Sequence, residues 1–146
     1  MLIRVLAATV AGGIVFFGGG YLLFGILLDP YFHANMIEYP GLMKGAMPDM
    51  IPLIAWNLVS AFLYAFIFDH WAGIRTFVGG LKGGAIIMFL TALGTDLQYL
   101  AFMNIWKGGP APIIVDILAA TVLGALAGGV IGLVLGAMNK SAPAEA

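Results

Sequence analysis

The chain contains no cysteine and few charged side chains, and both shortages narrow what it can be. Without cysteine it forms no disulfide bond, offers no thiolate metal ligand and has no cysteine nucleophile. Only 9% of its 146 residues are charged, against about a quarter in a soluble domain. The six Lys and Arg residues are scattered along the chain, so no clustered basic face is available for nucleic acid, and we expect no nucleic-acid partner.

In place of charge, the sequence has apolar residues and glycine. Hydrophobic residues make up 62% of the chain, and 21 glycines are distributed through it. About 20 apolar residues in a helix cross the ~30 Å hydrocarbon layer of a bilayer. Four such runs predict an all-α membrane protein, an up-down bundle with spans at residues 3–28, 52–68, 77–103 and 112–138. Residues 1–140 are then one transmembrane domain in the lipid bilayer, followed by a polar tail at 141–146.

The connection between the first two spans predicts a short segment lying at the membrane surface. Residues 29–51 contain three prolines, and their aromatic and methionine side chains are too apolar for a free loop. His33 and four methionines in this connection are ligand types that suit Cu(I), but Pro48 interrupts their helical spacing. We therefore expect no metal site here and no other cofactor.

The basic residues predict how the bundle is oriented. If the amino terminus is cytoplasmic, four of the six basic residues lie on the cytoplasmic side, namely Arg4, Arg75, Lys82 and Lys140. Cytoplasmic loops of membrane proteins carry an excess of Lys and Arg. Both termini are therefore predicted to lie in the cytoplasm.

Small residues recur at every fourth position of the last span and form a ladder. After Asp116, its members are Ala120, Gly124, Gly128, Gly132 and Gly136. Residues at this spacing share one strip of a helix, where another backbone can approach closely. Gly80 and Gly84 give the third span a shorter strip of the same kind. The strips predict close helix packing, either within the chain, with a second copy, or with another membrane protein.

Several polar side chains lie roughly 6 to 12 Å inside the outer ends of their spans. They are Tyr21, Asn57, Asp96 and Asp116, joined by Gln98 and Tyr99 from neighbouring faces of the third span. An Asp facing lipid near a helix centre costs about 2.5 to 3.5 kcal/mol, so we expect an inward-facing polar layer in which Asp96 approaches Asp116. Such a layer either joins the helices by hydrogen bonds or binds an ion, a proton or a small polar solute.

The sequence does not supply the residues of an enzyme. Ser60 has no His or Lys at a comparable depth, and Lys82 is not followed by the Ser or Thr of a phosphate-binding loop. We expect a membrane protein without enzymatic activity that works through glycine-mediated helix packing, as a self-associating or accessory subunit. The alternative is a small transporter or channel for an ion, a proton or a small polar solute, which would use the polar layer.

Four features resemble a group of small bacterial four-span membrane proteins known only as a domain of unknown function. They are a glycine-rich first span ending in YLLFGILL, the stretch MKGAMPDM, the join HWAGIRTFVGGLKGGAI and the glycine ladder of the last span. The resemblance covers most of the chain. It implies a compact four-helix unit in the bacterial inner membrane and carries over no catalytic or binding residue.

Overall fold

The computed structural model describes residues 2–45, 47–107 and 109–140, with the backbone alone at Lys140. Its helices are α1 (Leu2–Gly20), α2 (Asp29–Asn35), α3 (Met50–Phe66), α4 (Phe77–Phe102) and α5 (Ala111–Lys140). Two π-helical segments, Tyr21–Leu27 and Ile67–Ala72, continue α1 and α3 respectively. These described ranges contain no strand, only an isolated bridge between Met36 and Trp106. The predicted polar tail, residues 141–146, lies outside them.

Four helical stretches are long and apolar enough to cross a membrane. They are Leu2–Leu27, Met50–Ala72, Phe77–Phe102 and Ala111–Asn139. The prediction of an all-helical membrane protein with four spans is confirmed, and three of the predicted spans differ from these bounds by no more than one residue at either end. Many large apolar side chains are exposed on the outside of the bundle, as expected where lipid is the solvent.

The second span is longer than the predicted 52–68, because Asp69 does not begin a turn. The helix continues through it and ends at Gly73, which adopts the left-handed conformation with φ +60°. Asp69 is only 8% exposed, and the side chains of Arg4 and Arg75 pair with its carboxylate. Because this pairing compensates the charge, the acid stays in the helix instead of marking its exit from the bundle.

Contacts between helix ends establish that successive spans run in opposite directions. Arg4, near the start of α1, donates hydrogen bonds to Asp69 at the end of α3 and to Asn139 at the end of α5. The backbone of Arg75, just before α4, lies against Gly136 near the end of α5. We call this side of the bundle the basic end, and the opposite side, which carries α2 and the α4–α5 connection, the α2 end. The first and last described residues therefore lie on the same side.

The central helix is α5, which contacts α1, α3 and α4. One of its strips is buried against α1 and consists of Leu123, Ala127, Ile131 and Leu135. A Cβ atom added to Gly12 of α1 would lie 2.5 Å from Ile131, and one added to Gly19 would lie 2.7 Å from Leu123. The neighbouring strip, one residue further along, contains the predicted glycine ladder and faces α4. Adjacent residues on a helix are about 100° apart, so α5 serves two neighbours at once.

Aromatic side chains connect α1, α3 and α4 around this central helix. The rings of Phe16 and Tyr64 meet edge to face, with 5.4 Å between their centroids. The buried Tyr64 hydroxyl also donates to the Gly84 carbonyl oxygen of α4 at 3.4 Å. Phe68, in the continuation of α3, is fully buried and lies against Gly83 of α4. Together these contacts anchor α3 between α1 and α4.

The short segment predicted after the first span is present as α2, and its following residues pair with the α4–α5 connection. The Lys107 N–H donates to the Asn35 carbonyl oxygen at 2.7 Å, and the Ile37 N–H donates to the Ile105 carbonyl oxygen at 2.8 Å. These backbone hydrogen bonds join the two connections across the α2 end of the bundle.

Candidate functional site

Two strips of mainly small residues face one another where α4 packs against α5. The strip on α4 is Gly80, Gly84, Met88, Ala92 and Asp96, and the strip facing it on α5 is, in the same order, Gly132, Gly128, Gly124, Ala120 and Asp116. Each strip repeats every four residues, so its members lie one above another on a single helix face. Because the helices are antiparallel, the register that places Gly84 opposite Gly128 also places Asp96 opposite Asp116.

At the glycines, the two backbones are so close that no side chain fits between them. A Cβ atom added to Gly128 would lie 2.7 Å from the Gly84 Cα, and one added to Gly132 would lie 3.2 Å from the Gly80 Cα. One added to Gly84 would collide with the Gly124 carbonyl oxygen. Cβ atoms in proteins do not come within 3.0 Å of such neighbours. The register of the two helices is therefore fixed on the basic-end side of the acids.

Asp96 and Asp116 meet in the half of this contact that is nearer the α2 end. Their carboxyl groups are close enough to interact with one another. Asp96 is 3% exposed and Asp116 is half-buried. At ~1.5 Å per residue they lie about 8 to 9 Å inside the ends of α4 and α5, well within the spans. The approach that the sequence predicts for these two acids is present.

A hydrogen bond between two carboxyl groups requires a proton on one of them, because ionised carboxylates only accept. Within the described chain, no N–H or O–H group donates to Asp96 or Asp116, and Asp96 Oδ2 is buried without a partner. Two unscreened negative charges at this distance in the interior of the bundle would repel one another. The arrangement therefore suits one proton held between the two acids.

A cleft of about 310 Å³ opens at the α2 end, between the end of α4 and the start of α5. Among its lining residues, Leu100 and Ile113 are nearest in sequence to the acids, one helical turn from Asp96 and Asp116 respectively. Trp106 also lines the cleft, and its indole Nε1 is buried without a hydrogen-bond partner in the described chain. The cleft therefore extends from the α2 end to about one helical turn from the carboxyl pair.

Of the six residues in the predicted polar layer, the structure brings only the two acids together. Asn57 is buried, but it lines a separate cleft between α1 and α3 and donates to the Leu53 carbonyl oxygen of its own helix at 2.8 Å. Tyr21, Gln98 and Tyr99 are exposed on the outside of the bundle. Position along a span fixes the depth of a side chain but not the direction in which it points. Equal depth therefore did not bring these four residues to the carboxyl pair.

The basic end holds a charged cluster that the sequence does not identify as one site. The Asp69 side chain is 1% exposed, with the Arg4 Nε 3.0 Å and the Arg75 Nη2 3.3 Å from its Oδ1 atom. The His70 Nδ1 atom lies 3.9 Å from its Oδ2 atom. The sequence does contain a signal for this cluster. Arg4, Asp69 and Arg75 lie at three helix ends, and an up-down bundle brings these ends to the same side.

The chain matches none of the protein-family models, curated proteins or solved structures with which we compared it. The resemblance to small bacterial four-span proteins accordingly stays a prediction.

Proposed function

We propose that this integral membrane protein binds a proton at the Asp96–Asp116 pair, as the proton sites of small membrane transporters do. The observation that carries the proposal is the pair itself: two interacting carboxyl groups inside two spans, to which no N–H or O–H group of the described chain donates. Ionisable residues inside a membrane are costly and are retained mainly where they bind or move charge. This proposal favours the alternative function predicted from the sequence, a small transporter, and narrows the transported species to a proton.

A proton suits this pair better than a metal ion does. Calcium takes six to eight oxygen ligands and magnesium requires an octahedral set. The cluster within one turn of the acids along α4 and α5 includes Ala92, Ile113, Ile117 and Ala120, whose side chains contain no oxygen. Backbone carbonyl groups within a helix are already hydrogen-bonded. One proton, in contrast, satisfies the pair by turning one carboxyl group into a donor.

The α2 end is the side from which the proton would exchange. The cleft there ends one turn from the acids, and its described lining contains no ionisable side chain that competes for the proton. Toward the basic end, the backbones of Gly84 and Gly128 close the contact between α4 and α5. Transfer to the basic end would require these helices to separate. The geometry thus supports a binding site exposed to one side and not an open channel.

We assign the glycine ladder to packing within the chain. The sequence leaves open whether this strip packs within the chain, with a second copy or with another membrane protein. Because α4 covers it, the strip is not free to receive another helix. Its proposed role is to hold α4 and α5 in the register that places the two carboxyl groups together.

Association stays the second candidate, but through a different surface. The outward face of α4 presents small and polar residues to lipid, namely Thr91, Gly94, Thr95 and Gln98. An added Cβ at Gly94 meets nothing within 4 Å, and the Gln98 amide has no partner in the described part of the chain. Small residues allow helices to approach closely in membranes, and an amide gains by meeting a polar group there. A second copy of the chain, or a larger membrane protein, fits this face.

We further propose a protein without enzymatic activity in the inner membrane, with both termini in the cytoplasm. The charge count at the two ends leaves out the carboxyl pair inside the bundle. The described part of the basic end carries three basic side chains, Arg4, Arg75 and Lys82, and one acidic side chain, Asp69. At the α2 end three acidic side chains oppose two lysines, namely Asp29, Glu38 and Asp49 against Lys44 and Lys107. An excess of basic residues favours the cytoplasmic side of a membrane.

Infrared difference spectroscopy between acidic and neutral pH tests the proton site, using the purified protein in lipid. We expect a carbonyl stretching band from a protonated carboxyl group, and we expect Asp116→Asn to abolish it. The amide N–H of the new asparagine can donate to the Asp96 carboxylate in place of the bound proton, so the fold should persist. Asp29→Asn, a change of the same kind at a half-exposed position away from the pair, should leave the band in place. An unchanged band in Asp116→Asn would overturn the proposal.

The association candidate is tested by the mass of the protein in detergent, measured by analytical ultracentrifugation. If the outward face of α4 is the contact, Gly94→Leu reduces the mass to that of one chain. Gly18→Leu, at an equally open position of α1, should not. A wild-type protein that is already a single chain would rule this candidate out.

A further inference from the structure

We propose that the basic end binds the phosphate group of an anionic phospholipid, through the guanidinium of Arg75 beside that of Arg4. Both arginines pair with Asp69, and they are the only arginines in the chain. The proposal is independent of the carboxyl pair, which lies toward the opposite side of the membrane.

One carboxylate faces two guanidinium groups, so a positive charge is left over. The Arg4 Nε and Nη2 atoms both donate to Asp69 Oδ2 at 3.1 Å, and its Nη1 atom donates to Asn139 Oδ1 at 3.1 Å. All three nitrogens of Arg4 are therefore engaged. Pairing with Arg4 alone would neutralise Asp69. The guanidinium of Arg75 therefore adds a positive charge that is not needed to neutralise the buried acid.

Arg75 retains unused hydrogen-bond donors. Its Nη2 atom donates to Asp69 Oδ1 at 3.3 Å, whereas its Nε and Nη1 atoms have no partner in the described chain. The side chain is 31% exposed and is therefore not enclosed by the bundle. The second N–H of Nη2 and the free nitrogen beside it therefore leave one edge of the planar group for a phosphate, which accepts two parallel hydrogen bonds from arginine.

The cluster lies where lipid headgroups are found. Asp69 and Arg75 flank the exit of α3 and the start of α4, and the neighbouring Trp71 is 75% exposed. Exposed tryptophans at helix ends mark the level of the headgroups. Lys82, exposed and within the second turn of α4, can extend its ammonium group back to the same level. Basic pockets between helix ends recognise acidic headgroups in this way.

The site is proposed to recognise a phosphate group that has no amine beside it to neutralise its charge. Either an anionic lipid or free phosphate can supply such a group. We would measure the thermal unfolding of the full chain in mixed micelles with added phosphatidylglycerol, phosphatidylcholine or inorganic phosphate. Retained lipid would be counted by mass spectrometry of the intact complex. We expect phosphatidylglycerol to raise the unfolding temperature and to be retained, and the other two additives to have little effect.

Arg75→Gln should lower the affinity for phosphatidylglycerol about fivefold, which is the contribution of roughly one basic side chain near an anionic surface. Lys107→Gln removes the same charge from the opposite end and should leave the affinity unchanged. Arg75→Lys preserves the charge and its pairing with Asp69 but not the planar fork, so it should give an intermediate affinity even if Arg75→Gln folds poorly.

Equal losses in Arg75→Gln and Lys107→Gln would overturn the proposal, because they would indicate attraction to net charge alone. An Arg75-dependent shift with inorganic phosphate as large as that with phosphatidylglycerol would overturn the lipid assignment. Full retention of phosphatidylglycerol in Arg75→Lys and Arg75→Gln would also overturn it.

Discussion

Two buried acids of this bundle have their charge compensated in different ways. Asp69 receives hydrogen bonds from two arginines at the basic end. Asp96 has no basic neighbour among the described side chains and faces the carboxyl group of Asp116. A carboxylate that leaves water needs either a counter-charge or a proton. The first acid therefore contributes to stability in its ionised form, whereas the second suits reversible protonation.

Asp69→Asn is expected to destabilise the bundle by about 2 kcal/mol, below the 3 to 5 of a fully buried pair because both arginines are partly exposed. The amide leaves two guanidinium groups side by side with no negative charge between them. The free energy of unfolding in detergent micelles measures the loss.

Asp49→Asn provides the matched control for Asp69→Asn. Asp49 pairs with Lys44 at 3.6 Å, and both side chains are about half exposed or more. Such a pair contributes less than about 0.5 kcal/mol, and asparagine also caps a helix well. If the two variants were equally stable, the charged cluster at the basic end would contribute nothing to the fold.

At the scale of helices, the contact between α4 and α5 determines where the carboxyl groups lie. The ladder on α5 is readable from its sequence, and so are Gly80 and Gly84. The continuation of the α4 strip through Met88 and Ala92 to Asp96 is less apparent, because Met88 is large and interrupts the run of small residues. Once the two strips are aligned antiparallel, the pairing of the acids follows from the four-residue spacing.

Gly84→Ala and Gly94→Ala give a matched test of this contact, because they make the same change on the same helix. A Cβ atom at Gly84 collides with the backbone of α5, whereas one at Gly94 meets nothing within 4 Å. We expect Gly84→Ala to lose about 2 kcal/mol through overpacking. Gly94→Ala should be neutral or slightly stabilising, because alanine is the better helix former.

Thermal and denaturant unfolding of the two glycine variants, in the same detergent, measures the difference. Similar stabilities would mean that α4 and α5 do not approach as closely at Gly84 as the structure indicates.

The other helices differ in how far their sequences reveal them. Three spans are predicted to within one residue because a long apolar run is an unambiguous signal. The end of the second span is not, since Asp69, His70 and Trp71 read as residues of a membrane interface. Their place in the helix depends on Arg4, which is 65 residues away in the chain. Local sequence contains no information about such a partner.

At the scale of the whole molecule, the antiparallel arrangement follows from four spans and short connections. Contact between Arg4 and Asn139 brings the two ends of the described chain to one side. The lateral arrangement, with α5 in the centre and Asn57 turned toward α1, is not evident from the sequence. Apolar residues occupy most positions on every side of each span, so their pattern does not distinguish lipid-facing from buried faces.

Single-cysteine labelling tests the orientation, and the natural chain has no cysteine to interfere. Lys44→Cys at the α2 end and Trp71→Cys at the basic end place thiols at well-exposed positions. With a membrane-impermeant maleimide on intact cells, we expect Lys44→Cys to react at once and Trp71→Cys only after permeabilisation. The reverse pattern would place the basic end outside, and labelling of both would argue against the four-span topology.

Disulfide formation between α4 and α5 tests most directly whether the membrane interior holds Asp96 against Asp116. The measurement is the number of free thiols, by mass spectrometry after mild oxidation, in a chain carrying both Asp96→Cys and Asp116→Cys. We predict that nearly all molecules lose both thiols, while a chain with Gln98→Cys and Asp116→Cys, whose side chains point apart, keeps them. Retention of both thiols in the first chain, or equal loss in the two, would contradict the account.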